Sequence, residues 1–591
     1  MQETVDIWIA GAAGDGVQST AEILGRTAAR SGLHVFIYNS YQSAIRGGYA
    51  YAQVRISTKK AWVAGDRFDV LLCLNADSLN RHKHWAKEDG LILFNKDRAQ
   101  LPSGSKGLGI AVSEVVPNTI MQNVVFLGAT AAICGIPAEN LNKVILDVFK
   151  SKSQEVKNSN LEAAKKGQEL VGDSRGLHGI PVVSKSRLLM TGNQAIAFGA
   201  AHGGVKFYCA YPMTPATGVL HWMCDHADKL GITVEQAEDE IAVINMAIGA
   251  SFAGARAMCA TSGGGFALMT EAVGEAAMTE TPLVVVNVQR AGPSTGVPTK
   301  TEQGDLWQVL GASQGEYPRA VIAPLSCEDA FYTTQVSLNL ADRYQIPVLL
   351  LSDLLLSEHY ETVDNLDVKR VAIDRGTWAK AGGDFKRYLD TDTGVSPRTK
   401  PGTDDSLIFT AGTDEHDEKG HLVSDVFTNP IIRKQMMEKR MRKLDYIVKE
   451  MPPNLVFGDK NAELTLVGWG STYSILRAII EEAPKRGMKI NALAVRSLWP
   501  FLADSVSEVL KTAKKTLLIE NNFTAQLGKL IRQETGIVIP YHCLKYDGEP
   551  FYLESTMEVV KKVYEGKANA REAILTPYGL AEETYGASRG V

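Results

Sequence analysis

Cysteine is scarce: seven in 591 residues, at positions 73, 134, 209, 224, 259, 327 and 543, with no C-x-x-C pair. That scatter excludes a disulfide framework, structural zinc and an iron–sulfur cluster held by this chain alone, since each needs thiols at short, repeated spacings. The cysteines are expected in the core as small apolar residues. A charge excess is missing too. Lys and Arg (62) nearly balance Asp and Glu (67), leaving a formal charge of −5 with both signs interspersed. Such a surface points to no nucleic acid and no polybasic membrane contact. Long apolar runs are also lacking. The stretch 346–356 is broken by Ser352 and Asp353, and the acidic start of the chain lacks the basic opening of a secretory signal, so no membrane span is read and the expected location is cytoplasmic. No internal repeat or low-complexity tract is apparent.

What is present is apolar content, 45% of a chain far too long for one core, which predicts several α/β domains. Residues 1–180 open with an apolar strand at 4–11, a turn Gly11-Ala12-Ala13-Gly14-Asp15-Gly16, and a helical pattern over 17–29. Glycines allow close backbone approach and the helix start presents N–H groups, so the Gly14 turn suits a phosphate-bearing group, although most such turns only pack a helix on a sheet. Strands follow at 33–38, 50–56, 68–74 and 90–94, then helical patterns to about Leu170. Between the first two of these, Arg46 precedes Gly47-Gly48, apt for an anion or for a plain loop. Residues 171–186, with Gly172, Gly176, Gly179 and Pro181, read as a linker.

Residues 187–375 alternate strands and helices and hold the motifs on which the chain is organised. The apolar run 205–210 ends in Tyr211-Pro212-Met213-Thr214-Pro215, a turn stiffened at a strand's carboxyl end, where ligands of open α/β sheets bind. An acidic run, 235–240, leads into an apolar helix. Thr261-Ser262-Gly263-Gly264-Gly265 joins a small-residue strand, 255–260, to a helix. The strand 282–288 runs into Gln289-Arg290-Ala291-Gly292-Pro293-Ser294-Thr295-Gly296, carrying an arginine, whose planar fork suits a carboxylate, into a Gly- and Pro-rich loop. Residues 376–455 are charged, rich in Gly and Asp, and end in a basic helix near 433–449; they read as a long surface excursion, with His416 and His421 solvated rather than metal ligands. Residues 456–580 return to α/β.

The order YPMTP, then VEQAEDEIAVINMAIGASFAGARA, then TSGGG, then VVVNVQRAGPSTG closely resembles the α subunit of the 2-oxoacid:ferredoxin oxidoreductases. The resemblance spans nearly the whole chain. It implies a multidomain α/β protein: 187–375 as the pyrimidine-type thiamine-diphosphate-binding domain, 456–580 as a transketolase C-terminal-like domain, and 1–180 as the γ domain fused ahead. It further implies reversible, CoA-dependent oxidative decarboxylation of a 2-oxoacid, foremost 2-oxoglutarate to succinyl-CoA, with ferredoxin taking the electrons. Pyruvate or several 2-oxoacids are the alternatives within the family. A thiamine-dependent dehydrogenase or transketolase-like enzyme, and a partner that has lost its chemistry, are the alternatives outside it.

Carried onto this sequence, the resemblance gives Glu240, with Glu238 its nearest rival, the role of contacting the pyrimidine N1′ of the cofactor. A carboxylate walled in by Ile241, Ile244 and Met246 is expected to hold a proton more readily. The bland alternative is an acidic run that only favours the helix start. Thr214, Arg290 and Tyr211 are expected at the substrate, Pro212 at the cofactor, and Arg46 and Gly14 near CoA. Gly14-Asp15-Gly16 with Asn39 imitates the magnesium-binding motif of thiamine enzymes, but it matches the γ glycine loop and no second GDG occurs. Mg²⁺ and the iron–sulfur cluster are therefore expected on a separate β subunit, the active site at an α–β interface, and the assembly as a dimer of αβ heterodimers.

Overall fold

A computed structural model describes residues 2–574, except 43–47, 102–103, 117–120, 184, 365 and 425–427. Three sheets with helices against their faces make up the α/β architecture. The first has eight strands, in the order Gly107–Ile110, Ala86–Asn95, Phe68–Cys73, Thr4–Ala12, Tyr49–Ser57, His34–Ser40, Tyr360–Val363 and Leu188–Thr191. Its last two strands come from beyond residue 187, so this sheet joins the N-terminal region to the next. Helix Val17–Arg30 lies on it, packing Ile23, Leu24 and Ala28 into the core. Strand Gly107–Ile110 has no counterpart in the sequence reading, since two glycines in four residues mask it. The stretch 171–186 is irregular but pinned: the backbone N–H groups of His178 and Ile180 reach Ile133 and Cys134 carbonyls at 3.2 Å.

The second sheet runs Ser497–Trp499, Ala320–Ile322, Pro347–Asp353, Leu283–Gln289, Ala257–Thr261, Phe207–Ala210, Thr233–Gln236. All are parallel except Ser497–Trp499, which the C-terminal region contributes antiparallel at the edge. Strand Leu283–Gln289 is buried along its whole length, the mark of a parallel strand covered on both faces. The third sheet, Leu455–Gly458, Ile490–Val495, Leu464–Trp469, Thr516–Glu520, Tyr541–Leu544, Arg571–Ala573, packs its apolar side chains into one core with the second.

Residues 376–455 correct the expectation of a surface excursion. They are largely irregular until helix Pro430–Glu450, which starts on an Asn429 cap with proline in its first turn. Some of their charges, however, point inward. Lys439 and Lys443, fully buried, meet the equally buried Glu280 at 2.5 and 2.7 Å, and Arg398 joins Arg256 on the buried Asp342 at 2.7 and 2.6 Å. Burial acts to raise the Glu280 carboxyl, yet Lys439 and Lys443 outweigh it and hold the group ionised. His416 is likewise buried, its ring centroid 4.0 Å from that of Tyr388, while His421 is exposed as expected. A charged composition reads as surface only when the charges lack partners.

Candidate active site

Strands Leu283–Gln289, Ala257–Thr261, Phe207–Ala210 and Thr233–Gln236 are neighbours and parallel, so the loops after them leave the sheet at one carboxyl edge. This brings together Thr214, Glu240, the TSGGG turn and Arg290. The loop after Phe207–Ala210 exposes Tyr211 and Pro212 and passes through a cis Thr214–Pro215 peptide. Asn193 Nδ2 donates to the Pro215 carbonyl at 2.8 Å. Arg290, half-buried, turns back across the edge and donates from Nη1 to the Thr214 carbonyl at 2.6 Å. Burial lowers its guanidinium pKa and Asp305 opposes the shift; an arginine stays a cation there.

The acidic run divides its labour. Glu238 is exposed, and Asp239 caps helix Glu240–Phe252, its Oδ1 accepting from the Ala242 N–H at 2.8 Å. Asp239 thus supplies the cap, and Glu240 stands in the first turn of the same helix. Glu240 is 3% exposed, and its Oε1 is buried with no hydrogen-bond partner. The expected wall is only partly right. Ile244 is fully buried, but Ile241 and Met246 are about half exposed, so they do not close over the carboxylate. Helix Gly263–Met278 does. A Cβ on Gly265 would stand 2.5 Å from Glu240 Oε1 and 2.1 Å from Thr261 Oγ1, so glycine there makes room for both.

Sequence reading missed a second group of polar residues on this edge. Asp305 Oδ2 accepts from Asn287 Nδ2 at 3.2 Å, and the Asp305 N–H is held by Gln289 Oε1 at 3.0 Å. Burial raises its carboxyl to about 6 against the opposing pull of Asn287 and Arg290. Burial, then the neighbouring Asp305, raises Glu302 to about 7. Nothing local flags either residue; only the polar Asn287 and Gln289, set in an otherwise apolar strand, hint that something must satisfy them.

The GDG imitation at Gly14 sits in the first sheet's region. Asp15 is already engaged, accepting from the Ala12 N–H at 2.9 Å and pairing with Arg98 at 3.2 Å, as a turn-fixing residue does. Arg46 lies outside the described residues. Elsewhere, Cys327, His359 and Glu361 place three ligand-type atoms within 4.8 Å of one another. Glu361, however, accepts the Cys327 N–H at 2.7 Å and lies 3.8 Å from Lys60 Nζ, the pattern of a helix cap with its counter-ion.

A family model described as "Pyruvate flavodoxin/ferredoxin oxidoreductase, thiamine diP-bdg" matches residues 198–436. "Pyruvate ferredoxin/flavodoxin oxidoreductase" matches 6–170 and "Pyruvate:ferredoxin oxidoreductase core domain II" matches 462–540. The chain is 32% identical to a 2-oxoacid:ferredoxin oxidoreductase subunit alpha from Sulfolobus sp over 94% of its length and 96% of the relative's. It is 32% identical to the 2-oxoglutarate oxidoreductase subunit KorA of Mycobacterium tuberculosis, covering 90% of this chain and 87% of that one. The solved 2-oxoglutarate:ferredoxin oxidoreductase from Magnetococcus marinus, with 2-oxoglutarate, coenzyme A and succinyl-CoA bound, superposes with a TM-score of 0.88 at 34% identity, over 95% of this chain and 100% of that one. The chain thus belongs to the α subunits of the thiamine-diphosphate-dependent 2-oxoacid:ferredoxin oxidoreductases.

Proposed function

We propose that this chain is the α half of a 2-oxoglutarate:ferredoxin oxidoreductase, which interconverts 2-oxoglutarate and succinyl-CoA with release or uptake of carbon dioxide. The observation that carries the reading is Glu240: a carboxylate oxygen, buried and unpartnered, at the edge where Arg290 meets Thr214. Such an oxygen needs a donor, and the N–H of a bound ring would supply one. Thiamine diphosphate, when bound, supplies a nucleophilic carbon and an electron sink for decarboxylation. Glu240 holds or shares the proton at the pyrimidine N1′ nitrogen, with Pro212 and Tyr211 at the rim. Arg290 and Thr214 orient the substrate's 1-carboxylate and keto group, fixing the reacting bond before it breaks. Gly14 and Arg46 are assigned to the CoA side.

A β subunit supplies the rest: the Mg²⁺-diphosphate site, the iron–sulfur cluster and the contact for ferredoxin. Support comes from the cysteines, all free thiols and all but Cys224 buried. It comes also from exposed apolar side chains on the elements around Glu240, namely Ile241, Met246, Leu268 and Val297, an unusual outlay of apolar surface unless a partner covers it. The assembly proposed is a dimer of αβ pairs. The likeness to the M. marinus 2-oxoglutarate:ferredoxin oxidoreductase supports 2-oxoglutarate as the substrate. The test is anaerobic assay of the co-purified αβ complex with CoA and ferredoxin or a viologen: faster turnover of 2-oxoglutarate supports the assignment, and faster turnover of pyruvate would replace it.

A further inference from the structure

We infer that Lys300 is a positioning residue for the substrate clamp. It ties the loop carrying Arg290 to the first sheet and to the C-terminal region at one point. It acts through Arg290, and so rests on the assignment of that arginine to the 2-oxoacid carboxylate.

The loop is closed on itself at its base. Ala291, the residue after Arg290, donates its N–H to the Lys300 carbonyl at 3.0 Å and accepts the Val297 N–H at 2.9 Å, while the Lys300 N–H reaches the Val297 carbonyl at 3.0 Å. Where Lys300 is held therefore sets where the backbone beside Arg290 stands. The lysine is gripped from two sides. Its ammonium donates to Ser40 Oγ at 2.6 Å and pairs with Glu549, both side chains of the pair being mostly buried. Glu549 in turn accepts from the hydroxyls of Tyr38 at 2.5 Å and Tyr51 at 3.3 Å. Ser40 and Tyr51 are paired across strands His34–Ser40 and Tyr49–Ser57, so one end of the first sheet forms the socket. On either side of Lys300, Thr299 Oγ1 donates to the Tyr41 carbonyl at 2.8 Å and the Thr301 N–H donates to the Gly548 carbonyl at 3.2 Å. A Cβ on Gly548 would stand 2.8 Å from Lys300 Cβ, and the φ of this glycine is +81°, so only glycine lets the C-terminal loop come down on the lysine without strain.

A carboxylate that accepts from an ammonium and two phenols makes charge-assisted bonds, and these fix a lysine that would otherwise move freely on its four-carbon stem. Three parts of the chain thus meet on one residue at the base of the Arg290 loop. With that base fixed, the backbone beside the guanidinium is ordered before a carboxylate arrives; with it loose, closing on the carboxylate costs more conformational freedom. Loss of Lys300 leaves the arginine's donor fork intact, so the geometry once substrate is bound stays the same. The effect therefore falls on affinity and little on turnover.

The test uses the αβ holoenzyme, with 2-oxoglutarate and pyruvate as substrates and KM and kcat measured separately. Lys300→Met keeps most of the stem and removes the ammonium. KM for the preferred 2-oxoacid is expected to rise by roughly three- to tenfold, the scale of one lost hydrogen-bonded link, with kcat within about twofold. Thr299→Val cuts the neighbouring tie, shifts KM the same way by less, and carries the test if Lys300→Met does not fold. Placed on Arg290→Lys, Lys300→Met should add nothing, because its effect passes through the arginine. A merely structural role would instead lower the melting temperature and the active fraction, and with it kcat, leaving KM in place. A native KM in the folded variant, or a rise that adds in full on Arg290→Lys, overturns the inference. Arg290→Lys alone separates the two readings: if it raises KM while Lys300→Met does not, only the role of Lys300 falls, and if it leaves KM unchanged the substrate site itself is misplaced.

Discussion

Arg290 and Thr214, 76 residues apart, are joined by a 2.6 Å hydrogen bond from the guanidinium Nη1 to the threonine carbonyl. The bond ties the loops of two sheet strands together at the carboxyl edge, and it leaves the rest of the guanidinium's donor fork, and the Thr214 hydroxyl, to a ligand. In the proposed reading the clamp is therefore assembled before substrate arrives.

Replacing Arg290 by Lys removes that planar fork. KM for the 2-oxoacid is expected to rise by roughly ten- to a hundredfold, with kcat lowered as well, because a point charge cannot both hold Thr214 and orient a carboxylate. Steady-state kinetics of the complex check this, and unaltered constants would take Arg290 out of the pocket.

Glu240→Gln keeps the shape of the buried side chain and removes its proton chemistry. A loss of about 10²–10⁴ in kcat is expected, the usual scale for a positioned acid–base group, with little change in KM. Circular dichroism and melting temperature close to those of the native complex would show that the loss is chemical.

Glu280→Gln leaves Lys439 and Lys443 in the interior without a counter-charge, and a loss of about 3–5 kcal/mol in unfolding free energy is expected. Urea or thermal unfolding measures it. Making all three positions apolar, with Glu280→Leu, Lys439→Met and Lys443→Met, should restore most of the loss; if it does not, the three charges matter for more than their mutual compensation.

Glu520 gives a pH signature. Its fully buried carboxyl accepts from Trp469 Nε1, Asn522 Nδ2 and the Leu527 N–H, yet burial still raises it from 4.5 to about 7. Because the folded value lies above the unfolded one, its contribution to stability is complete below about pH 4.5 and is lost as pH rises through 7. That shift corresponds to roughly 3 kcal/mol. The stability of the native protein relative to Glu520→Gln should therefore fall by about that amount between pH 4.5 and 8. A constant difference across that range would mean that the carboxyl is ionised throughout.

That the YPMTP, TSGGG and Arg290 loops share one sheet edge was legible in sequence, because each follows an apolar strand and parallel strands put their following loops on one edge. Counting into the helix prefers Glu240 over Glu238; in the structure Glu240 is buried and Glu238 exposed. What was hidden depends on long-range contact. Asp305 and Glu302 sit in a short Thr-Glu-Gln-Gly-Asp stretch that looks like any polar loop until Gln303 is seen gripped by Trp469, Asn521 and Asn522, more than 160 residues away. His416, Lys439 and Lys443 read as surface residues because composition cannot show a partner such as Glu280. Ile241 and Met246 failed in the opposite sense: their apolarity reads as core, yet both are about half exposed, as on the partner-covered face proposed above.

The most direct measurement is calorimetric titration of thiamine diphosphate with Mg²⁺ into the isolated chain, into the αβ complex and into the complex bearing Glu240→Gln. Half a pocket binds nothing saturably on its own, so the expected result is one site per αβ pair, weakened by the substitution, and none in the isolated chain. Stoichiometric binding to the isolated chain, or full affinity in the complex regardless of residue 240, would contradict it.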